Sequence, residues 1–295
     1  MISGSLVAIV TPFTATGEVD YSAYRSLVEW HVAAGTAGIV VAGTTGEASS
    51  LSFDEIQQLV ELTREVAGKR LAILVGNGNI ATAKTVALTE QMNRWPIDGF
   101  LTVTPYYVKP SQAGLIAHFT AIADVAAAPI YLYNVPGRTA VDLTNESVFT
   151  LAQHPNIVGI KDATGDLARG QELIERLGGQ FCMLSGDDAT AHDFMKLGGH
   201  GVISVTANIV PAAMAQRYQL AQDGNMSEAD AVEAQIKPLH HDLFVEANPI
   251  PVKWALAQMG KIELAYRLPL TPLTVTAELN QSMQRLNLVA AGDTK

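Results

Sequence analysis

The segment Ile157–Gly165 (IVGIKDATG) places a lysine, Lys161, inside an apolar run that is typical of a buried parallel strand. Because side chains alternate along a strand, Lys161 shares its face with Gly159 and Ala163, whereas Asp162 points to the opposite face. An amine in apolar surroundings without an anionic partner is more easily neutral, and a neutral amine attacks carbonyl carbons. The pattern therefore predicts imine chemistry at Lys161. The alternative is a strand-end lysine whose charged head reaches solvent.

Other residues suited to chemistry follow similar apolar runs. They are Thr44 and Thr45 in GTTGE, Tyr107 in TPYY, and Tyr133 and Arg138 in YNVPGRT. These hydroxyls, phenols and one guanidinium suit binding of a small carboxylic acid and proton transfer around an amine. A guanidinium fork matches a substrate carboxylate. A surface salt bridge at Arg138 and ordinary core positions for the two tyrosines are equally compatible with the sequence.

The elements that must position these residues repeat as apolar run, turn and amphipathic stretch. Eight runs, spaced by roughly 20–35 residues, have the spacing of strands in βα units. The runs are Leu6–Phe13, Gly38–Gly46, Leu71–Gly78, Gly99–Tyr107, Pro129–Pro136, Ile157–Gly165, Cys182–Asp188 and Gly201–Asn208. This alternation predicts an α/β fold, a (β/α)8 TIM barrel, in which chemistry lies at the carboxyl ends of the strands. A doubly wound sheet is the alternative, but it seldom needs eight equal units.

Helical patterns fill the intervals and continue after the last run. Ser52 and Glu55 have the spacing of a capping box, and a helical apolar stripe follows them as far as Gly68. After about residue 224 only helical periodicity remains. We therefore expect a barrel domain over residues 1–224 that carries the active site, and a small C-terminal helical extension over 225–295.

The composition limits the classes of function. The chain has 295 residues, 48% of them hydrophobic, and a net charge of −10 without basic runs. An acidic chain of this kind is a poor candidate for binding nucleic acid or an anionic membrane. Cys182 is the only cysteine, so no internal disulfide is possible. The N-terminal apolar run is too short for a signal peptide or a membrane span, which favours a cytoplasmic protein.

Two weaker signals point to other ligands. Gly76–Ala81 (GNGNIA) matches a dinucleotide-binding fingerprint, but it follows the third run instead of the first, so a tight βα turn is the preferred interpretation. Asp187, Asp188, His192 and Asp193 could suggest a metal site, although acidic residues at a helix N-terminus explain them more simply.

Seven motifs, taken together and in order, resemble the bacterial dihydrodipicolinate synthases of the lysine-dependent pyruvate aldolase/lyase superfamily. The motifs are GTTGE, TVTPYY, LYNVPGRT, GIKDATGD, LSGDDA, GGHGVISVTAN and NPIPVKWA. The similarity extends without obvious gaps from GSLVAIVTPF to RLPLTPLT. Within the superfamily, the assignment depends mainly on Thr44 and Thr45 together with Arg138.

The resemblance implies condensation of pyruvate, bound as an imine on Lys161, with L-aspartate 4-semialdehyde in the diaminopimelate route to L-lysine. It assigns Tyr133 as a proton shuttle linked to Thr44 and Tyr107, with Tyr107 reaching the active site of a neighbouring subunit. A dimer, or a tetramer of paired dimers, is therefore expected. No metal or organic cofactor is required.

The substrate-binding residues implied by the resemblance are Thr45, Gly186 and Ile203 around pyruvate and Arg138 at the semialdehyde carboxylate. Backbone N–H groups of the GTTGE turn, at the mouth of a helix, are suited to the pyruvate carboxylate.

One departure concerns feedback by L-lysine, which inhibits many bacterial relatives at a dimer-interface pocket. Ser49, Leu51 and Tyr106 keep part of that pocket. Where the relatives carry histidines, an asparagine and a glutamate, this chain has Phe53, Ile56, Ile80 and Lys84. Lys84 repels a cationic effector, so we expect weak or absent inhibition.

Two rival functions remain open at this point. The first is another pyruvate-lysine enzyme on the same scaffold, such as an N-acetylneuraminate lyase or a keto-deoxy-sugar aldolase. The second is a non-catalytic barrel that acts as a binding protein.

Overall fold

The computed structural model describes residues 1–290, in which eight parallel strands close into a barrel in chain order. The strands are β1 (Gly4–Ala8), β2 (Gly38–Val41), β3 (Ala72–Gly76), β4 (Gly99–Val103), β5 (Ile130–Asn134), β6 (Ile157–Asp162), β7 (Cys182–Ser185) and β8 (Gly201–Ser204). The predicted (β/α)8 barrel is confirmed, and the doubly wound alternative is wrong. Each strand ends before its apolar run does, because the last residues of each run belong to the loop or the helix that follows.

Helices alternate with the strands and continue past β8. Within residues 1–290 they are α1 (Tyr21–Ala33), α2 (Phe53–Ala67), α3 (Thr82–Met92), α4 (Gln112–Val125), α5 (Pro136–Thr139), α6 (Asn145–Leu151), α7 (Leu167–Leu177), α8 (Asp188–Lys196), α9 (Pro211–Gln222), α10 (Met226–Asp242), α11 (Ile250–Gln258) and α12 (Ala277–Arg285). The capping box predicted at Ser52 is confirmed: its hydroxyl accepts from the N–H of Glu55, whose carboxylate accepts from the N–H of Ser52.

Residues 1–3 and 72–203 form one compact unit, which contains β3 to β7. Its parallel register sets Tyr133 of β5 level with Lys161 of β6, and Lys161 level with Leu184 of β7. Buried apolar side chains of the strands, such as Leu132 and Ile160, form its core.

Strand β6 carries an irregularity shortly before Lys161. Ile130 of β5 is paired with Ile157, but the next residue, Tyr131, is paired with Gly159, so β6 has one extra residue at this point. A β-bulge of this kind increases the local twist and changes the direction of the side chains that follow it. The bulge is therefore part of what orients Lys161.

The second compact unit combines Gly4–Leu71 with residues 204–290. It contains the parallel pair of β1 and β2. Helix α10 packs on α9 and α12, and α11 also contacts α12. The predicted boundary at residues 224 and 225 falls in the turn between α9 and α10, and the division into a barrel and a separate extension stays a prediction.

The C-terminal helical segments were predicted correctly in kind but not in length. The pattern from Leu273 onward is helical in period, yet α12 begins only at Ala277. Among residues 1–290, no helix combines the length and the hydropathy needed to cross a membrane.

Candidate active site

Lys161 lies near the end of β6 with 6% of its surface exposed, next to Tyr133, which is 7% exposed. The Nζ atom of Lys161 is 4.4 Å from the centroid of the Tyr133 ring. Within residues 1–290, no carboxylate forms an ion pair with Lys161. The amine is thus buried against an aromatic face without an ion-pair partner among residues 1–290.

Gly186 supplies the space for the Lys161 side chain. A Cβ atom on Gly186 would lie 2.7 Å from Cε of Lys161 and 2.7 Å from Cβ of Ala163. Both distances are too short for non-bonded carbon atoms. Glycine at the end of β7 is therefore required by the stem of Lys161, a role additional to the pyruvate contact implied by the resemblance.

Asp162 faces away from Lys161, as predicted, and belongs to a polar cluster on the outer side of β5 and β6. Its carboxylate accepts hydrogen bonds from Asn134 Nδ2 at 3.2 Å and Thr164 Oγ1 at 2.5 Å, and Nε of Arg169 lies 3.7 Å away. Burial raises the pKa of Asp162, and the Thr164 hydrogen bond and the Arg169 charge oppose that shift. Because Asn134 is level with Asp162, this cluster fastens the two strands that carry Tyr133 and Lys161.

The same cluster also holds the segment that follows Arg138. The guanidinium of Arg169 donates to both carboxylate oxygens of Asp142, at 2.9 and 2.8 Å, and Asp142 accepts from Asn134 Nδ2 at 2.8 Å. Strand alternation predicts the direction of the Asp162 side chain but not these partners. An Asp directly after the candidate lysine, buried and in need of a partner, was the available signal.

Arg138, Tyr107 and Ile203 occupy three different environments. Arg138 is exposed and lies in α5, a single helical turn. Tyr107 is 85% exposed and has a φ of 72°, a left-handed conformation that is uncommon for a residue with a side chain. Its N–H donates to the carbonyl of Thr139 at 3.2 Å. Ile203 is buried within β8. Contact with Lys161 is therefore established by the structure for Tyr133 and Gly186, but not for these three residues.

Thr44 and Thr45 lie in the turn after β2, in the second compact unit, where Thr44 is exposed and Thr45 is buried. The N–H groups of Gly46 and Glu47 donate inside the turn, to the carbonyls of Gly43 and Thr44, both at 3.1 Å. The helix that follows directly is only a short 3-10 segment, Ala48–Ser50. The prediction that a helix N-terminus presents these N–H groups to a carboxylate is therefore wrong for Gly46 and Glu47, whose donors are already used.

A second buried lysine, Lys253 of α11, was missed by sequence reasoning. It is completely buried, and its Nζ lies 2.5 Å from Oε1 of Glu47, the last residue of GTTGE. Burial lowers the pKa of Lys253, and the adjacent Glu47 carboxylate opposes this shift. The signal that identified Lys161, a lysine in an apolar segment, is also present in IPVKWALAQ. The two lysines differ because, of the two, only Lys253 forms an ion pair with a carboxylate.

The weaker signals have structural explanations. Asp187 is the N-cap of α8, and its side chain accepts from the N–H of Thr190 at 3.1 Å. The segment GNGNIA connects β3 to α3. Asp98 lies about 20 residues further on, where a dinucleotide-binding site carries an acidic residue, and it accepts from the N–H of Ile73 at 2.7 Å.

Comparisons with known proteins agree with the fold. The sequence profile of the Dihydrodipicolinate synthetase family matches residues 1–287. A 4-hydroxy-tetrahydrodipicolinate synthase of Idiomarina loihiensis is 52% identical over 294 residues, which cover 98% of each chain.

Solved structures show the same similarity. The chloride-inhibited dihydrodipicolinate synthase of Acinetobacter baumannii, complexed with pyruvate, is 48% identical with a TM-score of 0.95, over 98% of this chain and 100% of that one. A structure described as the first monomeric dihydrodipicolinate synthase variant is 37% identical with a TM-score of 0.94, over 98% of both chains. The buried lysine, the barrel and the near-complete match lead to one conclusion: this chain belongs to the dihydrodipicolinate synthetase family.

Proposed function

We propose that this chain is a lyase that condenses pyruvate with L-aspartate 4-semialdehyde, the reaction of 4-hydroxy-tetrahydrodipicolinate synthases in the diaminopimelate route to L-lysine. The observation that carries the proposal is the buried Lys161 amine beside Tyr133. The similarity to a relative solved with pyruvate supports pyruvate as the first substrate. No organic cofactor or metal is needed, because the protonated imine itself withdraws electrons.

The chemistry follows from the nucleophilic amine. Nζ of Lys161 attacks the C2 carbonyl carbon of pyruvate, and loss of water gives an imine. A proton then leaves C3 to give an enamine, and C3 attacks the aldehyde carbon of the semialdehyde, whose oxygen takes up a proton. Finally, the amino group of the semialdehyde attacks the imine carbon, and the bond to Lys161 breaks, which closes the ring and restores the free amine.

Several of these steps need a proton carrier, and we assign that role to Tyr133 with Thr44 and Tyr107. The position of Tyr133 against Lys161 supports the first assignment.

The exposure of Tyr107, at 85%, supports an interface role, since a phenol projected into solvent contributes to catalysis only if another surface covers it. We therefore propose a homodimer or a tetramer of paired dimers in which Tyr107 completes the neighbouring site. Light scattering tests this; a fully active monomer, a state named for one relative, would contradict it.

The carboxylates of the two substrates need separate anchors. We propose that Thr45, Gly186 and Ile203 bind pyruvate, with the Thr45 hydroxyl on its carboxylate, and that Arg138 holds the semialdehyde carboxylate. Arg138 is exposed on a short, backbone-bonded turn, and the shape of its guanidinium fork matches a carboxylate. Changing Arg138 to Ala should lower kcat/KM for the semialdehyde by about 10–100-fold. The pyruvate concentration that gives half-maximal trapping of Lys161 should change little.

A decisive experiment combines turnover with covalent trapping. Wild type should form product from pyruvate and L-aspartate 4-semialdehyde, and borohydride with pyruvate should label Lys161. The variant Lys161→Met should lose both, and Lys253 should remain unlabelled in wild type. An adduct without semialdehyde turnover would point to another aldolase of this superfamily, and absence of an adduct on Lys161 would overturn the proposal.

We also propose a cytoplasmic location. Cys182 is buried and free, and burial raises the pKa of its thiol to about 12, so it behaves as a core side chain and not as a disulfide partner. Recovery of the protein with membranes or in the periplasm on cell fractionation would contradict this proposal.

A further inference from the structure

The turn that carries Thr44 and Thr45 is fastened from the C-terminal part of the chain at two points. The first is Thr45 itself, which is 2% exposed: Nδ2 of Asn248 donates to its Oγ1 at 2.9 Å. A hydroxyl can accept two hydrogen bonds but can donate only one. Because the Asn248 N–H occupies an acceptor position, the hydroxyl proton of Thr45 is left to serve a different acceptor.

The second point is Glu47, three positions after Thr44. Its backbone has a φ of 55°, and its carboxylate forms the buried ion pair with Lys253. Left-handed backbone conformations at a residue with a side chain persist only where the surroundings enforce them. Burial at 4% exposure and a charge partner at 2.5 Å supply that enforcement.

Lys253 is itself enclosed, so the pair cannot shift easily. Its Nζ lies 4.2 Å from the ring centroid of Phe13 and 5.1 Å from that of Tyr266. A fully buried cation next to two aromatic faces and one carboxylate has little freedom to move. The turn after β2 is therefore held by Lys253 of α11 and by Asn248, which lies two positions before α11.

From these contacts we infer that Asn248, Glu47 and Lys253 are positioning residues that act through Thr45 and orient its hydroxyl as a donor to a carboxylate. The inference rests on the proposed function, because pyruvate is the carboxylate in question. It makes the C-terminal part of the chain a determinant of pyruvate affinity. Asn248 acts through the Thr45 hydroxyl, so its substitution should affect KM for pyruvate more than kcat.

Substitutions at Asn248 separate an orienting role from a purely structural one. Asn248→Ala removes the donor, so KM for pyruvate should rise about 3–10-fold. Asn248→Asp keeps the volume but offers a carboxylate, which captures the Thr45 proton and repels the substrate anion; its KM should rise further than that of Asn248→Ala. Loss of packing alone predicts the opposite order, because alanine leaves the larger void.

The controls use the same part of the chain. Glu233→Gln breaks another buried ion pair of the second unit and should leave KM for pyruvate within twofold of wild type. Thermal unfolding of every variant shows whether it folds. If Asn248→Ala does not fold, the KM of Asn248→Asp for pyruvate alone tests the orienting role of Asn248. Lys253→Met should raise KM for pyruvate while saturating pyruvate with borohydride still labels Lys161.

The outcomes distinguish the two proposals. If wild type forms the Lys161 adduct but both Asn248 variants keep a wild-type KM, or if the order of the two is reversed, the positioning inference is wrong and the proposed function stands. If wild type forms no adduct, the proposed function itself fails.

Discussion

Tyr133 and Lys161 lie level with each other on neighbouring strands, and Nζ of Lys161 is 4.4 Å from the centroid of the Tyr133 ring. The register explains the contact. Strands β5 and β6 are parallel, and the side chains of paired residues point to the same face of the sheet and lie side by side. The next register pair along the two strands, Asn134 and Asp162, is joined by a hydrogen bond on the opposite face. The amine and the phenol are therefore set by strand pairing and not by a flexible loop.

Removing the phenolic hydroxyl should remove proton transfer while the ring that covers Lys161 remains. We expect Tyr133→Phe to lower kcat by about 10²–10⁴-fold, the usual contribution of a positioned acid or base. Borohydride should still label Lys161 at long incubation, because the amine remains buried and unpaired with a carboxylate. Steady-state turnover and the rate of trapping are the measurements.

Tyr131→Phe is the matched control for this change. Tyr131 is on the same strand and is equally buried, so its substitution removes a phenolic oxygen from the same core. It should leave kcat within a few-fold of wild type. Near-normal turnover of Tyr133→Phe, or an equal loss in both variants, would contradict a specific proton-transfer role for Tyr133.

Gly186 offers a test of how tightly the lysine is held. Because a Cβ atom at this position would lie 2.7 Å from Cε of Lys161, Gly186→Ala should displace the amine and lower the rate of borohydride trapping. A displacement of about 1 Å near reacting groups can cost of the order of 10²-fold in rate. Gly179→Ala is the control, since a Cβ atom there would meet nothing within 4 Å. Equal trapping rates in Gly186→Ala and wild type would show that the lysine stem tolerates the contact.

Feedback by L-lysine gives a prediction from the sequence departure. Lys84 is exposed near the start of α3, and Ile80, shortly before this helix, is 38% exposed. We expect an inhibition constant for L-lysine above the low-millimolar range, because the Lys84 ammonium repels a cationic effector. Lys84→Glu should strengthen inhibition, whereas Lys69→Glu, the same charge change at another exposed site, should not. Inhibition of wild type at or below low-millimolar L-lysine would contradict the prediction.

The strands could be predicted from the sequence because their signal is local. Runs such as Ile157–Gly165 carry their apolar residues consecutively, and alternation alone placed Asp162 on the face opposite Lys161, which the Asn134 contact confirms. The β-bulge before Gly159 has no comparable signal, since it depends on how β6 pairs with β5. Periodicity can identify an element, but it does not determine its pairing partner.

The same limit explains the missed ion pair of Glu47 and Lys253. The two residues are 206 positions apart, and nothing local to either one identifies the other. Their presence in two motifs, GTTGE and NPIPVKWA, was the available clue. A lysine in an apolar helix must have a partner or a function, and that argument, applied to Lys253 as it was to Lys161, would have led to a search for a carboxylate.

The second unit contains a further buried ion pair whose pH dependence can be predicted. Glu233 of α10 pairs with Arg217 of α9, and Nε2 of His240 lies 3.4 Å from its Oε1. Burial alone would raise the pKa of Glu233, but the His240 hydrogen bond and the Arg217 charge outweigh it and lower the pKa to about 2, from a usual 4.5. A carboxyl whose pKa is lower in the folded state stabilises the fold above pH 4.5, and this stabilisation is lost as the pH falls from 4.5 towards 2.

Glu233→Gln should therefore destabilise the protein at pH 7 and make its stability less sensitive to a fall in pH. Losing one partner of a buried ion pair costs about 3–5 kcal/mol, because Arg217 stays buried without its carboxylate. Glu65→Gln, which removes an exposed partner of Arg25, should cost about 1 kcal/mol or less. Thermal unfolding from pH 7 down to pH 3 measures both effects: the melting temperature of wild type should fall more steeply below pH 4.5 than that of Glu233→Gln. Parallel curves for the two proteins would mean that the Glu233 carboxylate does not contribute to acid sensitivity. The close contact with Arg217 would then stabilise the packing of α9 on α10 through geometry and not through charge.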